Sequence, residues 1–350
     1  MRRIRAAVLG ATGAVGQQFI QLLAAHPWFE ICAVAASERN TGRRYGDACR
    51  WLLPSSLPTE IAALELLPAR PGIDAEVVFS ALPGEEALEI EAQFARAGYV
   101  VCSNASAHRL EPDVPLIIPE VNADHLGLIA GQRAGRGWSG LLVTSPNCTT
   151  TTAVMAAKPL HDAFGLRRLC MMSMQAVSGA GYPGVASLDI LDNVVPFVPG
   201  EEAKMERETC VLLGNMVDGA RQEAEIVISA QANRVPVVHG HTVCLAMEFA
   251  HKPEPDEATQ VLRDYRAPDI VRTLPSAPAC PILVREERDR PQPRLDRDSE
   301  HGMAATVGRI RACPVMHLRL VSVIHNTIRG AAGGAILNAE LLLASGYLSR

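Results

Sequence analysis

The chain has 350 residues, 48% of them hydrophobic and 20% charged, with a net charge of −5, enough for two domains with sizeable cores. A negative balance without any basic block argues against nucleic acid as the main partner and leaves small anions, which a few well-placed arginines can bind. Nine cysteines without short paired spacings fit a reducing, cytoplasmic setting and predict neither a disulfide framework nor a metal site, and no stretch is long and apolar enough to span a membrane.

Residues 4–9 read as a short apolar strand, and 17–25 have helical apolar spacing. Between them runs Gly10-Ala11-Thr12-Gly13-Ala14-Val15-Gly16, whose glycines also break what would otherwise pass for a signal peptide after Met1-Arg2-Arg3. A backbone that approaches a pyrophosphate needs glycine, and the following helix N-terminus supplies amides. The strand–turn–helix therefore predicts a dinucleotide site at Gly10, Thr12, Gly13, Ala14, Val15 and Gly16. A second strand, 30–36, ends at Ser37-Glu38-Arg39, with Arg43 and Arg44 behind. Glu38 would suit a ribose 2′-hydroxyl, but Ser37 with Arg39 suits a 2′-phosphate better, so NADP is the expected cofactor.

Residues 74–80 repeat the pattern of strand and small-residue turn, and 85–97 are helical in spacing. The strand at 99–103 leads into Asn104 and Arg109, and 115–119 and 140–144 complete the sheet. Ser80, Ala81 and Asn104 stand at carboxyl ends of strands, where open α/β sheets bind ligands. Alternating strands and helices predict an α/β, Rossmann-type, doubly wound parallel domain over 1–147.

The strand at 140–144 runs into Ser145-Pro146-Asn147-Cys148 and a run of threonines that opens a helix. A thiol at a helix N-terminus is expected as the nucleophilic thiolate, because free amides and the helix dipole favour negative charge there. A buried structural cysteine is the competing reading. From 148 to 325 the texture is α+β. Strand-like runs at 168–177, 226–230, 235–238, 243–249 and 315–323 predict a mostly antiparallel or mixed sheet, suited to catalysis and oligomerisation. Glu201 and Lys204, at i and i+3, share a helix face and would by themselves make a minor surface pair. Arg234, His239 and His241 fall on one strand and its end; alternation leaves open which histidine points inward, since Pro236 and Gly240 can interrupt it. The segment 326–350, with a helix at 335–345, is expected to pack back on the first domain.

With these motifs together the chain resembles the aspartate-semialdehyde dehydrogenase family, in its archaeal and fungal-type branch. The match is carried by Gly10–Gly16, Ser145–Thr150, Gln175–Gly184, Arg234–His241, Pro291–Asp296, Gly302-Met303 and Arg329–Gly334, and runs from end to end. The resemblance implies Cys148 as nucleophile, His241 as acid/base, and Gln175 and Arg234 holding substrate, Arg234 on its α-carboxylate. It also implies Asn147 at the substrate, Arg109, Glu201 and Lys204 on the phosphate side, and Ser178, Gly179 and Asn326 along the nicotinamide. The implied reaction is the reversible, NADPH-dependent reduction of L-aspartyl 4-phosphate to L-aspartate 4-semialdehyde and phosphate through a cysteine thioester, in a homodimer or homotetramer without metal. Reductases of the same scaffold acting on malonyl-CoA or N-acetylglutamyl phosphate rank below it, since those substrates lack the free α-amino and α-carboxyl pair. A non-catalytic cofactor sensor would have no use for Cys148 and His241 together.

Overall fold

The computed structural model describes residues 2–349. Strands β1 (Ile4–Leu9), β2 (Phe29–Ala36), β3 (Leu66–Pro68), β4 (Val77–Ser80), β5 (Val100–Ser103) and β6 (Leu141–Thr144) pair in parallel in the order β3-β2-β1-β4-β5-β6. The longer helices are α1 (Ala14–Leu23), α2 (Gly84–Arg96), α3 (Leu128–Arg136), α4 (Cys148–Phe164), α5 (Glu201–Leu212), α6 (Pro255–Asp264) and α7 (Gly333–Ala344). Successive strand residues point to opposite faces, and both faces of this sheet are covered. Val8, Val77 and Phe79 share a core with Phe19 and Ile20 of α1 and with Ile336 and Leu337 of α7, whereas Leu9, Val78 and Val101 pack with Ala87 and Phe94 of α2. The end of the chain thus returns to the first sheet. Strand order reverses between β1 and β4, which is where a doubly wound sheet opens its crevice.

Residues 115–119 do not form the sheet strand read from the sequence. They add a single bridge, Leu116 to Thr144, because Pro115 and Pro119 cannot donate to a ladder and Pro119 already opens a helical turn.

Beyond β7 (Leu166–Gln175), a hairpin of β8 (Asn215–Val217) and β9 (Ala220–Gln222) stands apart. Strands β10 (Val227–Arg234), β11 (His241–Phe249), β12 (Ile282–Arg285), β13 (Ala305–Ala312) and β14 (Leu318–Ile324) join β7 in a mixed sheet ordered β10-β7-β11-β14-β13-β12. One face buries Leu169, Met171, Val243 and Leu245 against Ala153, Val154 and Ala157 of α4 and Leu262 of α6. On the other face Met172 and Val227 are 47% and 69% exposed. Residues 235–238, read as a strand, are instead a connection between β10 and β11, since Pro236 lacks an amide to donate. No helix among the described residues is long and apolar enough to cross a membrane.

Candidate active site

Three strands of the second sheet deliver polar side chains to one edge. β7 and β10 run parallel and end opposite each other at Gln175 and Arg234; β11 runs antiparallel to β7 and begins there with His241, Thr242 facing Met174. Arg234 and His241 therefore flank β7 from two different strands, rather than sharing one strand and its end. His241 is fully buried, whereas His239 lies in the connection, stacked on His325 with ring centroids 5.3 Å apart.

Cys148 comes to this edge from the first sheet, as the first residue of α4, with its Sγ 3.1 Å from His241 Nε2. Asn147 caps the helix, its Oδ1 accepting the amides of Thr149 and Thr150 at 2.8 and 3.1 Å. Its Nδ2 donates to Glu201 Oε1 at 2.9 Å, and that oxygen also accepts Thr149 Oγ1 and Gln175 Nε2, each at 3.0 Å. Glu201 is thus spent on the nucleophile's neighbours, and Lys204, half-buried, makes no side-chain ion pair or hydrogen bond among the described residues. Arg234 Nη1 donates to the Ala176 carbonyl at 2.8 Å, and the Ala176 amide donates to His241 Nδ1 at 3.0 Å. With Nδ1 an acceptor, the neutral ring carries its hydrogen on Nε2, pointed at sulphur.

Burial, reinforced by Glu201, pushes the Cys148 thiol up to about 12, against the opposing pull of Arg109, Arg234 and the Thr149 amide. Burial, with Arg234 and His325, pulls His241 down to about 3. Both shifts favour the neutral pair over the thiolate expected from the helix N-terminus, since burial opposes charge on sulphur more than the first-turn amides support it.

A cavity of about 530 Å³ joins Cys148 to the turn after β1. Its walls include Gly13, Ala14, Val15 and Ala81 on one side, Asn104, Arg109, Asn147 and Cys148 at its centre, and Ser178, Gly179 and Asn326 opposite. The turn beneath is as tight as a nucleotide cradle requires: a Cβ on Gly10, at φ +70°, would lie 2.6 Å from the Ala81 carbonyl oxygen, and one on Gly16 would lie 2.2 Å from that of Gly10. The Thr12 carbonyl accepts Gln17 Nε2 at 3.0 Å and closes the same turn. Asn104 Nδ2 is buried and has no partner among the described residues, a donor left over for a ligand. These features fit a dinucleotide, with the first amides of α1 over its phosphates. Asn326 is fixed at the far end, its Oδ1 accepting the Gly240 amide and its Nδ2 donating to Ser178 Oγ, both at 2.8 Å. Ser80 lies fully buried below the cavity. Ser37 and Arg39 are exposed beyond it, and Arg39 has no side-chain partner among the described residues.

Sequence reasoning missed two features. Glu208, buried on α5, joins Arg109 to the Asn147 amide; its spacing from Glu201, two turns along one helix face, was the available signal. Arg50 straps the glycine-rich loop to the first domain through Tyr182, donating to its hydroxyl at 2.7 Å.

Two family models match the chain: a semialdehyde dehydrogenase NAD-binding domain over residues 5–129 and a semialdehyde dehydrogenase dimerisation domain over 157–329. The chain thus carries both the NAD-binding and the dimerisation segments of a semialdehyde dehydrogenase. An aspartate-semialdehyde dehydrogenase of Archaeoglobus fulgidus is 51% identical over 342 residues, covering 97% of this chain and 98% of that protein, and one of Schizosaccharomyces pombe is 45% identical over 350, covering 97% and 98%. The solved Candida albicans enzyme with NADP superposes with a TM-score of 0.91 at 40% identity, covering 99% of this chain and 100% of that one. The chain belongs to the aspartate-semialdehyde dehydrogenase family.

Proposed function

We propose that the chain catalyses the reversible NADPH-dependent reduction of L-aspartyl 4-phosphate to L-aspartate 4-semialdehyde and phosphate. The observation that carries this reading is the 3.1 Å contact of Cys148 Sγ with His241 Nε2, beside a cavity that also holds Arg109 and Asn104.

In the reductive direction the sulphur of Cys148 attacks the acyl carbon, a C–S bond forms, the C–O bond to phosphate breaks, and the thiol proton leaves with the phosphate. When bound, the nicotinamide supplies the hydride that reduces the thioester carbonyl carbon. As the C–S bond then breaks, His241 passes its Nε2 proton to sulphur and regains one at the same nitrogen from water entering by the cavity, while Nδ1 keeps the Ala176 amide, so the thiol and the neutral ring are both restored. Arg234, with donors to spare beyond its bond to Ala176, holds the α-carboxylate beside Gln175. Arg109 and Lys204 receive the phosphate, and Glu201 and Asn147 keep Cys148 in place. Ser178, Gly179 and Asn326 line the nicotinamide, and Ser37 and Arg39 meet the 2′-phosphate.

The bare face of the second sheet, within the segment matched as a dimerisation domain, meets a second copy of the chain. All nine cysteines are unpaired, which suits a reducing cytoplasm. Adding L-aspartate 4-semialdehyde, phosphate and NADP should produce the absorbance of the reduced nicotinamide. A rate that does not depend on phosphate, or no rate at all, would overturn this reading.

A further inference from the structure

One carboxylate that carries no sequence motif holds both the nucleophile's helix and the arginine on the phosphate side. Glu208 is 1% exposed. Its Oε1 accepts Arg109 Nη1 at 3.0 Å, and its Oε2 accepts the backbone N–H of Asn147 at 2.6 Å. Arg109 comes from the loop after β5, Asn147 caps α4, and Glu208 lies on α5, so the one side chain ties together three segments from two sheets. The guanidinium is further held by Nη2, which donates to the Asn104 carbonyl at 2.7 Å. That leaves Nε, buried and without a partner among the described residues, as a free donor, on a residue that lines the same cavity as Cys148.

We propose that Glu208 is a positioning residue for the phosphate step: it sets the Arg109 guanidinium at a fixed distance from the Cys148 end of α4. The proposal rests on Arg109 being a phosphate ligand, as read above. Its chemistry is specific to a carboxylate, the one side chain of this length that has two oxygen acceptors and so can give each donor its own. A glutamine offers one oxygen and one amide, and its amide would confront either the Asn147 N–H or the Arg109 guanidinium. Because the Asn147 amide is part of a capped helix and the Arg109 side chain is not, the arginine is the partner displaced.

The test separates phosphate handling from folding. In Glu208→Gln the apparent constant for phosphate should rise about tenfold, with that for the semialdehyde within about twofold of wild type. Placed in an Arg109→Leu background, the same change should add nothing further to the phosphate constant. A second measurement needs no turnover: inorganic phosphate should protect Cys148 from alkylation by iodoacetamide, and about ten times more phosphate should be needed in Glu208→Gln. Should that variant fail to fold, Glu208→Asp, which keeps both acceptors one methylene short, carries the same comparison. A lowered melting temperature with an unchanged protection constant would reduce Glu208 to a structural residue and overturn the proposal. Protection that weakens in the variant, in a protein without turnover on the semialdehyde, would uphold the role of Glu208 and overturn the substrate reading instead.

Discussion

A methyl group placed on Gly330 would lie 2.6 Å from Cys148 Cβ, well inside the ~3.5 to 4.0 Å at which carbon atoms pack. Gly330, in the turn that leads into α7, is thus a wall of the nucleophile's site, and only glycine leaves Cys148 where it is. Gly330→Ala should cost ~1 to 3 kcal/mol of stability through overpacking and lower kcat by about a hundredfold by displacing sulphur from His241. Urea unfolding and steady-state kinetics check both, and an alanine variant with wild-type kcat would refute the contact.

Cys148→Ser should leave NADP binding intact and nearly abolish turnover, since an alcohol is a far poorer nucleophile at neutral pH. His241→Asn should lower kcat by about 10² to 10⁴ with the protein still folded, and His239→Ala should stay close to wild type. Loss of activity in the His239 variant with retention in the His241 variant would reverse the assignment.

Arg109 lines the cavity from the loop after β5, whereas Arg234 ends β10 in the other sheet, so their anions should be separable. Arg109→Leu removes a charged contact worth ~1.5 to 3 kcal/mol, raising the apparent constant for phosphate about ten- to a hundredfold and that for the semialdehyde less. Arg234→Leu should show the opposite order. Kinetics with phosphate and semialdehyde varied in turn decide it, and equal weakening of both substrates by both variants would defeat the division.

Arg39 is exposed and has no side-chain partner among the described residues, whereas Arg43 is engaged by Asn40 and the Asp47 carbonyl. Arg39→Ala should therefore lower kcat/KM for NADP about tenfold, the lower end for a charge-assisted contact at an exposed site, and leave that for NAD nearly unchanged. Parallel assays with the two cofactors test this; an equal fall with both would remove Arg39 from the 2′-phosphate.

Acid should destabilise the protein through two histidines. Burial, Arg234 and His325 lower His241 to about 3, and burial, His239 and Arg297 lower His325 to about 4 despite the opposing pull of Asp298. Both sit below the ordinary value of ~6.5, so under that pH the unfolded chain binds protons that the folded one refuses. Their stabilisation is complete above ~6.5 and is lost as pH falls toward those values. Unfolding midpoints should decline between about pH 6.5 and 4.5, less steeply in His241→Asn and His325→Asn; identical slopes in all three proteins would contradict the assignment.

The doubly wound half was legible where a strand announces itself twice, by an apolar run and by the small-residue turn that follows; the edge strand β3, three residues long, does neither and went unread. Residues 115–119 carry the apolar run without the register, and two prolines leave them a single bridge. The stretch from Arg234 to His241 misled because periodicity describes one strand, whereas these residues belong to two, joined through Pro236 and Gly240 around a third. At Cys148 the helix N-terminus was readable and the state of its thiol was not: the amides are local in sequence, but burial is made by α5 and the second sheet folding over it. Glu201 and Lys204 read as a pair on one face, yet what Glu201 meets depends on α4 lying opposite. Glu208 stayed silent for the same reason.

The helix α4 leaves the last strand of one sheet and buries its apolar side in the core of the other, together with the strands that bear Gln175, Arg234 and His241. An acyl group attached to Cys148 therefore rides on the same packed body as the groups that grip and protonate it, while the turn at Gly13 to Val15 belongs to the opposite body. If the two bodies part, spent cofactor can be swapped for fresh with the acyl load still on its carrier and its alignment to His241 undisturbed.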